Sequence, residues 1–405
     1  MQVRMNTSEL TDRVVTTDHH RMTTRPVYDV AIVGAGVFGA WTAYLIRRTG
    51  ASVILIDQYG AGNTRASSGG KTRIIRRGYG PDEIYSRFAN RSLELWREFS
   101  KQSDQLLFHR TGVLWLARDE DAYSISTLAT FERMGVPFER LTRTELQARY
   151  PQIEFGAITW AILEKDGGVL MARQGVRAVV QAAERIGVTC VEASVLPPTG
   201  NGWLESVVTT RGERITAGTF VFGCGPWLPK VFPEILGELI QVTRQEVFYF
   251  GVPAGDYRFA PPAMPVWIDF NDLVYAIPDV AGGGFKIAID AHGPEFDPDK
   301  GDRAATREGL AAVRKYLSLR VPALTEAPLL GSEVCPYENT SNGDFLIDRH
   351  PTLENVWLVG GGSGHGFKHG PAVGEYVVKR ISGGGDVEPR FSLASKTTMH
   401  RRNVY

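Results

Sequence analysis

The sequence predicts an α/β fold: a discontinuous Rossmann-like dinucleotide-binding domain, with a second, mainly antiparallel β-sheet domain threaded through it. Three observations lead there. A strand, a glycine fingerprint, a helix and a second strand follow one another in residues 28–57. A further strand, glycine turn and helix occupy residues 355–381, far along the chain. Between them, residues 241–291 are rich in Val, Phe, Tyr and Ile and broken by turn residues, the composition of an antiparallel sheet.

In the first element, "YDVAIVGAGVFGAWTAYLIRRTGASVILID", residues 30–33 form an apolar run suited to a buried parallel strand. Gly34, Gly36 and Gly39 then spell G-x-G-x-x-G. Gly34 permits the tight turn, Gly36 lets a pyrophosphate approach the backbone, and Gly39 lets helix and strand pack closely. Val37, Ala40, Trp41, Tyr44 and Leu45 repeat at helical spacing, and Gly50 marks where that helix ends. The free N–H groups and positive dipole end of the helix suit phosphate. The second strand, 53–56, finishes on Asp57, a carboxylate able to accept hydrogen bonds from ribose hydroxyls. This fingerprint alone does not separate FAD from NAD.

The later elements follow in order. Residues 172–186 predict a helix that leads to a strand ending near Val195, and "TAGTFVFGCGPW" (216–227) reads as an apolar strand ending in glycines. Residues 305–317, at least, form another helix. Pro371 suits the first turn of the helix within 355–381. No solenoid-type repeat interrupts this order.

Composition narrows the function. Lys+Arg and Asp+Glu both count 45, so no basic excess exists to neutralise phosphates, and nucleic acid is excluded as an expected partner. No apolar run approaches the roughly 20 residues of a membrane helix, so no membrane partner is expected. Residues 1–26 are polar, lack the apolar core of a secretory signal, and read as a disordered arm. Cys190, Cys224 and Cys335 are too few and scattered for a disulfide framework or a zinc cluster, so no metal is expected and the compartment reads as reducing and cytoplasmic.

Four motifs, in order, carry a resemblance: the fingerprint, "KTRIIRRGY" (71–79), "YAIPDVAGGGFKIAID" (275–290), and "CPYENTSNGDFLID" with "GGGSGHGFK" downstream. With them the chain resembles the monomeric sarcosine oxidase group of flavin-dependent amine oxidases, in the D-amino-acid-oxidase superfamily, from residue 28 to about residue 384. The resemblance implies an FAD-binding domain of residues 27–107, 168–240 and 326–385, a substrate-binding domain of 108–167 and 241–325, and a C-terminal tail of 386–405. It also implies a monomer that oxidises the C–N bond of a secondary amine or amino acid to an imine while oxygen becomes hydrogen peroxide. Cys335 matches the cysteine that carries FAD through a thioether at the 8α carbon, and Lys286 the lysine beside which oxygen reacts. Arg76 and Lys368 match cations that bind a substrate carboxylate; Tyr275 and Tyr337 match tyrosines of the substrate cavity. Thr72 and Arg73 match residues beside the flavin ring, and Val195, Gly364 and Lys368 are placed with the cofactor. Lys286, Arg73 and Asp290 form the expected catalytic set.

Residue chemistry agrees with these roles. A carboxylate in a closed site calls for fixed cations, and Arg offers a planar fork. A lysine cation stabilises charge developing on oxygen. A thiolate is the competent nucleophile toward an electrophilic flavin position. A lone cysteine is by default a small hydrophobe, the reading kept for Cys190 and Cys224. His365 and His369 flank Lys368 and read as turn histidines with structural hydrogen bonds. Alternation from Lys286 through Ala288 puts Asp290 on the lysine's face, where sarcosine oxidases carry histidine. An acid there resembles the fructosyl amino acid oxidases and points to a substrate larger than sarcosine. The alternatives are a flavin dehydrogenase or demethylase with another electron acceptor, a non-catalytic nucleotide-binding module, and an NAD-dependent dehydrogenase. The last leaves Cys335 and "GHGFK" unexplained.

Overall fold

The computed structural model describes residues 28–398. The arm expected over residues 1–26 lies outside them, as do residues 399–405 of the tail.

The strand Tyr28–Val33 lies in the middle of a seven-stranded sheet, flanked in parallel by Arg214–Phe222 and Val53–Asp57. Val356–Gly360 and Thr189–Glu192 extend it in parallel on either side, Leu346–Arg349 closes one edge antiparallel, and Ser206–Val208 pairs antiparallel with the start of Arg214–Phe222. Both faces are covered. Val30 and Ile32 pack into a core with Val37–Arg47, Glu83–Gln102, Ala172–Arg185 and Gly370–Ile381, while Ala31 and Val33 pack with Phe220, Phe222 and Leu228 on the other side. Burial on two faces is why these strands read as continuous apolar runs.

The second body is an eight-stranded sheet in the order Leu329–Thr340, Ile240–Phe250, Phe285–Ile289, Val274–Ile277, Val266–Asp269, Val113–Ala117, Trp160–Glu164, Phe138–Thr142. It is antiparallel except where Val266–Asp269 meets Val113–Ala117 in parallel. Helix Arg307–Arg320 covers one face through Val313 and Leu317. A small antiparallel sheet of Thr72–Ile75, Gly168–Met171 and Phe108–His109 lies at the chain crossings between the two.

Four expectations need correction. Residues 329–340, placed with the FAD-binding segments, are hydrogen-bonded along Ile240–Phe250 and belong to the eight-stranded sheet. Local pattern carries no record of a pairing partner so distant in sequence, but Pro336 was a clue, since proline belongs on an edge strand and this strand is one. Val195 does not end a strand. Thr189–Glu192 stops earlier, and Val195 makes a single bridge to Thr209. The helix expected over 305–317 is Arg307–Arg320, because the Thr306 hydroxyl accepts from Gly309 N and caps it. The preceding helix ends at Arg185, one residue early. Part of the tail is anchored: Phe391 is buried, Arg390 pairs with Asp82 at 2.6 Å, and Lys396 donates to Asn342 at 3.0 Å.

Candidate active site

A cavity of about 420 Å³ opens at the C-terminal ends of the parallel strands, where doubly wound sheets bind their ligands. Gly34, Gly36, Asp57, Val195, Cys335, Tyr337, Gly364 and Arg73 all line it. Gly34 has φ +107°, and a Cβ there would meet Gly223 O at 2.3 Å; a Cβ on Gly39 would lie 1.8 Å from Gly34 O. The turn and the strand–helix contact therefore both require glycine. Gly36 differs: its nearest neighbour would be Ser68 Oγ at 3.6 Å, so its missing side chain leaves cavity space. Asp57 accepts from Ala35 N at 2.7 Å and Tyr59 N at 2.9 Å, which ties the fingerprint turn to the end of the second strand. Burial pushes its carboxyl up, against those backbone bonds and with a smaller push from Glu192.

At the other end of the cavity Cys335 Sγ accepts from Arg73 Nη2 at 3.0 Å. The same guanidinium donates to Ser67 O at 2.6 Å and Thr72 O at 2.8 Å. Burial works against the arginine's charge, yet the Cys335 thiol and Tyr275, Tyr337 and Tyr249 hold its pKa above the ordinary value. Lys286 is 1% exposed and donates to Thr72 O at 3.0 Å. Burial, then Arg73, lowers its pKa to about 7, while Glu333 and Cys335 pull the other way. A second cavity of about 230 Å³ reaches Lys286 between Thr72, Tyr249 and Gly284. Cys335, Arg73, Thr72 and Lys286 thus form one cluster.

Arg76 and Lys368 form another. Both lie over the Tyr79 ring, at 4.4 Å and 5.3 Å, and Arg76 also lies 4.9 Å from the Trp115 ring. Arg76 donates to Gly78 O and Lys368 to His365 O at 2.8 Å. Burial and the neighbouring Arg76 push Lys368 well below the ordinary lysine pKa, with Asp290 and Glu164 opposing. Asp290 follows directly after Phe285–Ile289, is 8% exposed, and accepts from Tyr337 OH at 3.2 Å. Tyr275 and Ala288 pack together beside Tyr249 on the Lys286 side of the sheet, as alternation requires. Arg76, Lys368, Asp290 and Tyr275 do not line this cavity; Asp290 adjoins it through its hydrogen bond with Tyr337, which does. Gly364 has φ +80°, and a Cβ there would strike the Tyr337 ring at 2.5 Å.

Sequence reasoning left Tyr79 and Glu338 without roles. The Tyr79 hydroxyl meets His369 Nε2 at 2.8 Å and His365 Nδ1 at 3.1 Å, which gives both histidines the structural hydrogen bonds expected of them. Tyr79 closes the "KTRIIRRGY" run, and that position next to the two arginines was the available signal.

These residues fit a dinucleotide. The cavity has a glycine cradle at Gly36 and a buried oxygen with no hydrogen-bond partner among the described residues, Glu338 Oε2. A family model described as FAD dependent oxidoreductase (DAO) matches residues 29–380. The chain belongs to this family. Within the DAO family it is 31% identical to the monomeric sarcosine oxidase of an Arthrobacter species, over 92% of this chain and 97% of that one. It is 29% identical to the N-methyl-L-tryptophan oxidase of Salmonella arizonae, over 86% and 93% of the two chains. Among solved structures, the L-proline dehydrogenase of P. horikoshii superposes with a TM-score of 0.78 at 23% identity, over 91% of this chain and 98% of that one. No helix among the described residues is long and apolar enough to cross a membrane.

Proposed function

We propose that this DAO-family enzyme oxidises the C–N bond of a secondary amine or N-substituted amino acid to an imine and passes the electrons to dioxygen, giving hydrogen peroxide. The observation that carries this reading is the cluster of Cys335, Arg73, Thr72 and Lys286 at one end of the dinucleotide cavity. FAD, when bound, supplies the two-electron chemistry. The protein's residues bind, orient and neutralise. Cys335, whose Sγ accepts from Arg73 at 3.0 Å, is the nucleophile for covalent attachment of FAD. Lys286 holds a proton-bearing amine at Thr72 O, beside the second cavity, where it stabilises charge developing on oxygen. Arg76 and Lys368, both beside Tyr79, bind the substrate carboxylate. Asp290 accepts from the substrate amine or from a hydroxyl beyond it, with Tyr337 fixing its rotamer. An acceptor at that point favours a substrate larger than sarcosine. The enzyme works as a monomer in the reducing cytoplasm, consistent with three free cysteines.

Acid precipitation tests the attachment: the pellet is expected to stay yellow, and the intact mass to include one FAD. A colourless pellet refutes it. Peroxide release over N-methyl, cyclic and fructosyl amino acids, with simple D- and L-amino acids alongside, tests the reaction. Flavin bleached by an amine but left reduced in air would favour an acceptor other than oxygen.

A further inference from the structure

Glu338 is the one acidic side chain of "CPYENT", and the amine-oxidation roles leave it unused. It is 7% exposed and lines the dinucleotide cavity. Cys335 and Tyr337 share one side of their strand, toward Arg73 and Asp290, while Glu338 points from the other side toward the glycine turn after Val356–Gly360. There its Oε1 accepts from Gly362 N at 3.2 Å, and its Oε2 has no partner among the described residues. A buried carboxyl oxygen left unpaired is costly, and an ionised one more so. No cation among the described residues acts on it. Burial raises the carboxyl to about 7, against the Gly362 and Gly361 N–H groups. The titratable groups facing it are the Cys224 thiol and, beside that thiol, the Asp57 carboxyl; burial and these two acids push Cys224 up. Its cross-strand partner is Val242, and no charged group among the described residues shifts it.

Its place in the cavity follows from Gly362, which it anchors. A Cβ on the neighbouring Gly366 would lie 2.9 Å from Gly362 Cα and 3.0 Å from the Phe38 ring of the fingerprint helix, so Glu338 sits at the fingerprint end. That is the end where a dinucleotide places its diphosphate. An ionised carboxylate would repel that group, whereas a protonated one donates a hydrogen bond.

We propose that Glu338 is a cofactor-positioning residue: its carboxyl, anchored by Gly362 N–H, keeps a proton on Oε2 and donates it to an oxygen of the ribityl–diphosphate arm of bound FAD. The assignment rests on the FAD reading above. A neutral acid in this place makes FAD retention depend on pH, a property that the glycine fingerprint alone lacks.

The test uses the full chain with Cys335→Ala, so that FAD binds reversibly, and reads Kd by quenching of flavin fluorescence. Glu338→Gln keeps a neutral donor and is expected to hold FAD within a few-fold of the parent, while Glu338→Ala weakens it by about tenfold or more. Between about pH 6 and 9 the parent's affinity is expected to fall as Glu338 loses its proton, whereas that of Glu338→Gln stays level. Glu338→Met fills the same volume without a donor; should Glu338→Ala not fold, weak binding by folded Glu338→Met supports the assignment. Equal affinity in all variants, Gln binding as weakly as Met, or a parent profile level with pH overturns it. A Cys335→Ala chain with Glu338 intact that takes up no FAD overturns the cofactor reading and this assignment together. Normal uptake with equal affinities overturns the assignment alone.

Discussion

Lys286 and Lys368 make a natural comparison. Each is buried, at 1% and 4% exposure, and each donates to a main-chain carbonyl. They differ in their company. Lys286 has Arg73 beside it but also Glu333 and Cys335, and its pKa settles at about 7. Lys368 has Arg76 beside it, with Asp290 and Glu164 opposing, and falls well below the ordinary lysine value. A buried cation with compensating neighbours is poised to change charge near neutrality. Two buried cations held side by side are stabilised when an anion arrives. The first arrangement suits charge that develops during a reaction, the second a carboxylate already present in the substrate.

The largest expected effect concerns the poised lysine. Lys286→Met is expected to lower the rate at which substrate-reduced enzyme reacts with oxygen by about 10²–10³-fold, the scale of one preorganised electrostatic contact. Anaerobic bleaching of the flavin by substrate should change far less. Stopped-flow measurement of the two half-reactions checks this, and equal losses in both would erase the proposed difference between the lysines.

The next effect concerns the paired cations Arg76 and Lys368. Arg76→Met or Lys368→Met is expected to cost about 10- to 150-fold in kcat/KM for amino acid substrates, the range for one charge-assisted hydrogen bond. Decarboxylated analogues should lose little. If both substrate classes lose equally, the pair supports the Tyr79–His365–His369 network instead of the substrate.

Much of this arrangement was legible in the sequence, and the limits have physical causes. The fingerprint at Gly34, Gly36 and Gly39 and the turn at 361–366 were readable because each encodes a local conformation that few residues permit. Alternation put Lys286 on one face with Ala288, a local signal of the same kind, although both faces of that strand are buried. The assignment of residues 329–340 failed because sheet membership depends on a partner strand some ninety positions away, Val242 to Glu338 for instance, which leaves no local periodicity. Glu338 and Tyr79 were missed because their significance lies in what surrounds them: an unpaired oxygen facing a cavity and a hydroxyl shared by two histidines. Neither is a spacing.

A third expectation follows from the titration of Lys286. Its pKa is about 7 in the folded chain and 10.5 as a free side chain, so between these values the unfolded chain binds the extra proton. Stability therefore rises with pH across that window and is lost as pH falls toward 7, with a slope of at most about 1.4 kcal/mol per pH unit. Urea unfolding of flavin-free protein at several pH values should show this slope in the parent and a reduced one in Lys286→Met. An unchanged slope would mean that Lys286 keeps its ordinary pKa and that the contrast with Lys368 lies only in geometry.

The smallest effect is expected at Asp290, where the two clusters come closest through Tyr337. Its carboxylate is the partner of the Tyr337 hydroxyl and one of two acids that hold up the charge of Lys368. Asp290→Asn keeps an acceptor for Tyr337 and removes the negative charge, so the rotamer of Tyr337 should survive. Two consequences oppose each other. With less compensation, Lys368 and Arg76 present a stronger net attraction for a substrate carboxylate. A cationic or hydroxylated group farther along the substrate, however, loses its charged acceptor. For a simple zwitterion such as sarcosine these nearly cancel, while a larger cationic amine should lose about two- to tenfold in kcat/KM, the range of a partly screened ion pair. The ratio of kcat/KM for a fructosyl or other hydroxylated amine to that for sarcosine, measured in parent and variant, isolates the contact from any general change in the site. A falling ratio places Asp290 against the substrate. An unchanged ratio with lower activity throughout makes it a positioning residue for Tyr337 and Lys368, and sarcosine as the best substrate of the parent would remove the reason for expecting a larger one.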